Sequence, residues 1–311
     1  MRTLVIVRRS VLVLLAAAVG AAEVEAQGAD RRWPLQPQTG IGRIVAPFLE
    51  GWYPNEDGSY SYSFGYLNLN DHSIEIPRGE ANAVTPAEFD GMQPTVFEPG
   101  RHRGVFAVTV PADQADVDVW WTITNPNGEV AKVPGRHNWG AYMLDYNPRP
   151  HGTMHPLVWF EDGEQGRGPR GVVAEETLTA TAGEPITLEV NVRDPSQRDT
   201  TDYRFWEPVP VRVVWFEHQS PLEGDVVFAR HESTPVAEEE ENADVDEDEP
   251  TIDPEAIVEL PAGEGTARVI ATFTQPGEYV VRVQADNFAA VDSDTDDQCC
   301  WTNGYVRVTV R

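Results

Sequence analysis

Short runs of apolar and β-branched residues, separated by turn residues, dominate the chain from residue 43 onward. Runs of this kind, rich in Val, Ile, Thr, Tyr, Phe and Trp, are typical of β-strands. The alternation is clearest over residues 59–64, where Tyr60, Tyr62 and Phe64 fall on one face of an extended chain. No stretch shows the 3.6-residue apolar period of an amphipathic helix. The pattern predicts an all-β fold with little helix apart from a signal peptide.

The predicted strands form two series, separated by a stretch rich in Pro, Gly and His. The first series covers residues 44–51, 59–67, 73–77, 94–98, 104–110 and 116–125, and the second covers 176–182, 186–193, 209–216, 225–229, 256–260, 266–273, 278–285 and 304–310. The Asn-Pro-Asn-Gly turn at 125–128 predicts a hairpin. Strands at this spacing predict two β-sandwich domains, residues 43–146 and 172–311, joined by a Pro/Gly-rich linker at 147–171.

The end of the chain carries a resemblance to a known class of module. Residues 273–286 read Phe-Thr-Gln-Pro-Gly-Glu-Tyr-Val-Val-Arg-Val-Gln-Ala-Asp, and residues 306–310 close the chain with Val-Arg-Val-Thr-Val. This stretch resembles the last three strands of PKD-type and related immunoglobulin-like modules of secreted bacterial proteins. The resemblance implies that residues 172–311 form an immunoglobulin-like, PKD- or fibronectin-like sandwich. It implies no activity, because such folds host many functions.

The first 26 residues have the organisation of a secretory signal peptide. Arg2, Arg8 and Arg9 precede an apolar run, and Val24 and Ala26 supply small residues before a cleavage site. The apolar run is too short to span a membrane, and no later segment reaches the required length. We expect an exported protein, periplasmic or extracellular, without a transmembrane segment, and with a flexible segment at 27–42.

Charge narrows the range of partners. The formal net charge is −28 at pH 7, which argues against nucleic acid as a partner, because a polyanion would be repelled. An envelope protein or a glycan is the expected partner of a monomeric chain. Residues 232–255 hold twelve acidic residues and no basic one. Such a density of like charge is typical of a disordered surface loop.

Both cysteines of the chain are adjacent, at Cys299 and Cys300. In an oxidising compartment they form a vicinal disulfide, two intermolecular bridges or free thiols, and the sequence leaves these states open. A vicinal disulfide would lock the turn into the last strand, or would present an apolar platform beside Trp301. Trp121, next to Trp120 on a predicted strand, is a second candidate for an aromatic binding platform, since neighbouring side chains face opposite sides.

Two further patterns suggest metal ligands. Asp292, Asp294 and Asp296 alternate as carboxylates do in calcium loops. The glycine and the glutamate that complete such a loop are missing, so a solvated acidic turn is the alternative. His151 and His155 flank a methionine, and together these residues form a donor set that suits copper. The spacing of the two histidines aligns them only on a helix, which the surrounding prolines and glycine exclude. The alternative interpretation is that this stretch is a linker. We expect no cofactor, and Ca²⁺ is the alternative that we retain.

The chain has no local catalytic motif. It lacks a Gly-x-Ser-x-Gly elbow, and its carboxylates are too numerous for sequence to identify an acid and base pair. The sequence therefore favours a non-catalytic binding or structural module of the cell envelope or exterior. The alternatives are a carboxylate-dependent hydrolase or accessory carbohydrate-active protein, and a calcium-stiffened adhesin or spacer.

Overall fold

The computed structural model describes residues 43–234, 252–294 and 298–311. The predicted signal peptide, the segment at 27–42, most of the acidic loop and Asp296 lie outside the described residues. Nineteen β-strands form within the described ranges: β1 (Val45–Pro54), β2 (Tyr60–Asn68), β3 (Ile74–Glu75), β4 (Asn82–Thr85), β5 (Val96–Phe97), β6 (Gly100–Val110), β7 (Val119–Thr124), β8 (Val130–Gly135), β9 (Leu157–Trp159), β10 (Gly166–Arg167), β11 (Val172–Val173), β12 (Leu178–Ala180), β13 (Pro185–Arg193), β14 (Val211–Gln219), β15 (Val226–Arg230), β16 (Ile257–Leu260), β17 (Glu264–Phe273), β18 (Gly277–Asp286) and β19 (Trp301–Val310). Short 3₁₀ turns are the only helical elements there. The all-β prediction is confirmed.

The first half of the described chain is a β-sandwich. One sheet has the order β1-β2-β6 and the other the order β4-β7-β8, while β3 and β5 form a separate two-stranded ladder. The sheets pack through aromatic rings: Phe106 of β6 meets Trp121 of β7 edge-on, with ring centroids 4.9 Å apart. The predicted hairpin is present, since β7 pairs with β8 across the turn at Gly128, which has a φ of 86° that suits glycine.

The second half is a larger sandwich with an immunoglobulin-like division of strands. One sheet has the order β10-β9-β13-β17-β15 and the other the order β11-β19-β18-β14-β16, with β12 added in parallel to β19. Alternate residues of β17 are buried, as expected for a strand with one face on a core. The core between the sheets includes Val190, Trp215, Val269 and Val283, so Trp215 occupies the central position that a sandwich tryptophan often takes.

Part of the predicted linker belongs to the second sandwich. Residues Leu157–Trp159 form β9, which pairs with β13, and Val158 lies in the core of that sandwich. This strand was missed because it is only three residues long and follows Pro156. Strand β4 was missed for a similar reason, since Asn82–Thr85 is short and only weakly apolar. The domain boundaries stay a prediction.

The described residues from Arg43 onward belong to one compact unit, in which side chains on the outer face of β19 contact the backbone of β6. The Asn303 amide donates to the carbonyl oxygens of Gly104 and Pro169 at 2.7 and 3.0 Å. The Tyr305 hydroxyl donates to the Val105 carbonyl at 2.9 Å. The ring of Trp301 covers Gly104. These side chains are buried. The two sandwiches are therefore joined by a buried network of polar groups that form hydrogen bonds with one another. Across the described chain, no helix is long and apolar enough to cross a membrane.

Candidate functional site

A pocket of about 240 Å³ is lined by the β3–β5 ladder of the first sandwich and by β14, β15 and the turn before β16 of the second. We call it the acidic pocket, because six of its lining residues are carboxylic acids: Glu75, Glu98, Glu217, Glu223, Asp225 and Asp253. Among the described residues that line it, none is basic. The acidic pocket therefore offers a strongly negative potential to a ligand.

The acids lie at two depths. Glu75, Glu223, Asp225 and Asp253 are exposed, whereas Glu98 and Glu217 are partly buried. Backbone contacts hold the rim together, since the Glu223 amide donates to the Glu75 carboxylate at 2.8 Å. Glu98 and Glu217 consequently form the floor of the acidic pocket, and the four exposed acids form its rim.

Glu217 reaches the floor because of strand alternation. Val213, Trp215 and Glu217 occupy every second position of β14, and that face looks into the second sandwich. One carboxylate oxygen accepts from the Val226 amide at 3.2 Å, while Oε1 is buried and has no hydrogen-bond partner. Burial, with the negative charge of Asp225 in addition, raises the pKa of Glu217 to about 8.

Glu98 follows β5 and faces an arginine at the back of the pocket. Burial raises the pKa of Glu98 to about 7, partly offset by Arg282, while Asp253 and Asp225 raise it further. Arg282 is itself buried, 3% exposed, and lies 4.1 Å above the ring of Phe216. Burial lowers the pKa of Arg282. The guanidinium therefore sits behind the aromatic wall and not in the opening.

The walls of the acidic pocket are apolar and aromatic, and include Trp215, Phe216 and Phe228. Trp215 is 1% exposed, and its indole N–H has no partner. Phe216 is 5% exposed and one face of its ring is already covered by Arg282, so these walls contribute apolar surface for the stem of a ligand. The arrangement suits a positively charged group carried on an apolar stem.

A larger groove of about 1090 Å³ lies near β6, β10 and β11. Its lining holds eight carboxylic acids, Glu56 and Asp162 among them, and two basic residues, Arg167 and Arg170. The two guanidinium groups offset only part of that negative charge, so this groove is also acidic overall. The acidic pocket differs from the groove in that no basic residue is among its described lining residues and two of its acids are partly buried.

The two predicted aromatic platforms are wrong. Trp121 and Trp301 are both fully buried. Trp121 is a core residue of the first sandwich, and its indole N–H donates to the Asn82 side chain at 3.0 Å. Its neighbour Trp120 faces outward, where Lys132 lies 4.6 Å from its ring. The sequence shows that neighbouring tryptophans face opposite sides, but not which side is the core.

The predicted calcium ligands are only partly described. The Asp292 carboxylate accepts from the His151 backbone amide at 2.8 Å, and its other oxygen is buried without a partner. Asp294 is exposed and bridges to Cys299 through the backbone. Asp296 lies outside the described residues. A calcium site at this turn therefore stays a prediction.

The vicinal cysteines lie immediately before β19, with a cis peptide bond between them and their sulfur atoms joined. His155 lies beside them, in the stretch that the sequence left open between a metal ligand and a linker. Burial lowers the pKa of His155 to about 4. His151 does not join this group, since its ring lies near Phe205 instead.

Sequence reasoning missed Glu98 and Glu217. Each stands among 51 acidic residues without a local motif, and they meet only because the two sandwiches pack together. One sequence signal was available for Glu217, which directly follows the predicted strand at 209–216 and continues the alternation of Val213 and Trp215.

Comparisons with known proteins give no family. No protein-family model matches the chain, and no curated protein matches it. Among solved structures, the chain is similar to the D00-D0 domain of Intimin, with 12% identity, coverage of 86% of this chain and 100% of that one, and a TM-score of 0.25. A tandem of titin Ig domains gives 13% identity, 86% and 99% coverage and a TM-score of 0.21. Domains 4 and 5 of the S-layer protein SbsC give 9% identity, 79% and 89% coverage and a TM-score of 0.21. Identities and TM-scores this low do not indicate a shared function.

Proposed function

We propose that the chain is an exported, non-catalytic binding module whose acidic pocket takes a cationic group on an apolar stem, such as the side chain of arginine or lysine in a partner. The observation that carries the proposal is the convergence of six carboxylic acids, with no basic residue among the described lining residues, on one aromatic-walled pocket. The volume is below the roughly 300 Å³ at which ordinary small-molecule sites begin. A single side chain fits that size.

The floor acids explain why a cation would bind there and not at any acidic surface. The buried Oε1 of Glu217 lacks a hydrogen-bond donor, and a guanidinium or ammonium group would supply one. A cation bound beside Glu217 and Glu98 favours the ionised forms of both carboxyls. At any pH at which they are protonated in the free protein, binding therefore releases protons. Since their pKa values are about 8 and about 7, affinity should rise with pH between about 6 and 9.

The test is calorimetric titration of the mature protein with N-acetylarginine amide at 0.15 M salt. N-acetylcitrulline amide, which has nearly the same shape without the charge, is the control ligand. We expect saturable binding of the arginine probe at one site, with a dissociation constant of about 1 mM or tighter, and none of the citrulline probe. Buffers of different ionisation enthalpy will show proton release on binding.

Glu217→Gln should weaken binding by at least about tenfold, or about 1.4 kcal/mol. Glu129→Gln is the matched control, because Glu129 is exposed at the β7–β8 turn, away from the acidic pocket. Equal binding by the two variants would place the cation elsewhere on the acidic surface. Absence of saturable binding in the wild type would remove the proposed function.

One observation favours a second candidate function. A carboxyl with a raised pKa beside an exposed carboxylate, as in Glu217 and Asp225, is the arrangement of an acid and base pair in hydrolases. Incubation with aryl glycosides that release a coloured phenol tests it. Turnover by the wild type that is lost in Glu217→Gln but kept in Glu129→Gln would establish a carboxylate-dependent hydrolase in place of the binding module.

A third candidate, a calcium-stiffened adhesin or spacer, rests on the turn that contains Asp292 and Asp294. The partnerless buried oxygen of Asp292 is the observation that favours it. Thermal melting with calcium and with a chelator tests this function. A rise in the melting temperature with calcium that is absent in Asp292→Asn supports it, and an unchanged midpoint removes it.

A further inference from the structure

The group of Cys299, Cys300 and His155 has the composition of a soft-metal site. Both sulfur atoms and a ring nitrogen of His155 lie within 4.8 Å of one another. The three residues come from two distant parts of the chain, the segment before β9 and the turn before β19. They are all buried, with Cys299 6% and His155 2% exposed. Two sulfurs and an imidazole form a donor set that soft d¹⁰ ions favour.

His155 has one nitrogen engaged and one available. Its Nδ1 lies 2.8 Å from the carbonyl oxygen of Trp301, which only accepts hydrogen bonds, so Nδ1 carries the proton. Its Nε2 has no hydrogen-bond partner and therefore presents a lone pair. A ligating histidine typically donates its other N–H to a backbone carbonyl in this way, which fixes the tautomer and orients the ring.

The surroundings would hold the ring in place and limit access of water. Tyr53, Tyr146 and Trp301 pack edge-on against His155, with ring centroids 5.8, 5.6 and 6.3 Å away. Arg167 lies 5.3 Å from the ring of Tyr146. Its positive charge would offset the negative charge of a dithiolate complex. A dry, aromatic shell with one nearby cation favours an ion of low coordination number and low charge.

We infer that Cys299, Cys300 and His155 form a reducible site for a soft metal ion of the Cu(I) class, closed by the disulfide and opened by a thiol reductant. Two electrons and two protons from two reductant thiols cleave the Sγ–Sγ bond and leave two cysteine thiols and one reductant disulfide. Binding of Cu(I) then displaces both thiol protons, and His155 Nε2 supplies the third ligand. This site is separate from the acidic pocket and does not depend on the proposed function.

The test compares oxidised and reduced full-length mature protein under anaerobic conditions. The protein is reduced with a phosphine, and its free thiols are then counted without denaturing it. Cu(I) is titrated into the protein in the presence of bicinchoninate as a competing chelator. We expect one equivalent of Cu(I) in the reduced wild type and none in the oxidised protein. X-ray absorption of the loaded wild type should show two sulfur ligands and one nitrogen ligand, and this measurement needs no variant to fold.

His155→Gln should weaken Cu(I) binding by at least about tenfold, whereas His151→Gln, four residues earlier on the same segment, should leave it unchanged. Circular dichroism checks that each variant is folded. Equal Cu(I) binding by oxidised and reduced protein, a sulfur-only spectrum, or unfolding on reduction would show that the cysteine pair is a structural lock and would overturn the inference. Tighter binding of Zn²⁺ than of Cu(I) would overturn the assignment to Cu(I)-like ions.

Discussion

Replacement of Gly104 by alanine would test the joint between the two sandwiches. Gly104 lies in β6 with a φ of +54°, beneath the ring of Trp301. An added Cβ would lie 2.5 Å from Trp301 Cε2 and 2.7 Å from Nε1, and closer still to Cζ2. Real Cβ atoms do not approach so closely, so Trp301 or the backbone must move. The ring is fully buried, so it moves only if the side chains packed around it move as well.

Two unfavourable contributions to the free energy of the folded state add together in Gly104→Ala. The positive φ disfavours any residue with a Cβ by about 1–2 kcal/mol, and overpacking of a filled site costs about 1–3 kcal/mol. The hydrogen bond from the Asn303 amide to the Gly104 carbonyl, 2.7 Å long, shifts with the backbone. We therefore expect the free energy of unfolding to fall by about 2–5 kcal/mol.

Gly128→Ala separates the two costs. Gly128 also has a positive φ, +86°, but nothing lies within 4 Å of an added Cβ, so only the backbone cost of about 1–2 kcal/mol remains. Urea denaturation followed by tryptophan fluorescence and circular dichroism measures both variants, with an unchanged slope as the check on two-state behaviour. In a double-mutant cycle, Trp301→Leu should reduce the cost of Gly104→Ala. Equal costs for the two glycine variants, or no coupling between Gly104 and Trp301, would refute the close packing of this joint.

Three further predictions follow from buried polar groups. Because the pKa of Glu217 is raised from 4.5 to about 8, the folded state holds a proton that the unfolded state loses, so stability falls as pH rises through that window. Glu217→Gln should therefore gain roughly 2–5 kcal/mol relative to the wild type between pH 5 and pH 8.5, at about 1.4 kcal/mol per pH unit, and a pH-independent difference in urea midpoints would contradict this. Arg282→Met removes the positive charge that lowers the pKa of Glu98, so NMR titration should place that pKa above about 7; a lower value would show that Arg282 does not act on Glu98. Asn82→Ala leaves the Ile76 and Pro94 carbonyls and the Trp121 indole N–H without their buried partners, at a cost of about 2–4 kcal/mol in thermal or urea unfolding, whereas Asn147→Ala, at an exposed position, should cost less than about 1 kcal/mol.

The sequence by itself determined the fold class and most of the strands. The period of two residues in stretches such as 266–273 specifies a strand with one buried face, and that information is local. The Asn-Gly turn at 127–128 specifies a hairpin in the same way, because only certain residues accept its backbone conformation. Short strands such as β4 and β9 were not predicted, because they form through pairing with strands distant in the sequence and their own few residues carry little signal.

Tertiary structure alone decided both candidate sites. Glu98 and Glu217 lie more than a hundred residues apart in the sequence, and their pKa values are raised mainly because packing removes water from them, with a smaller contribution from neighbouring carboxylates. His155 meets Cys299 and Cys300 for the same reason, while Trp121 and Trp301 became core residues because of the sheets that cover them. Local periodicity encodes which face of a strand is buried, but the contact between two folded halves depends on the complementarity of whole surfaces, which no local pattern records.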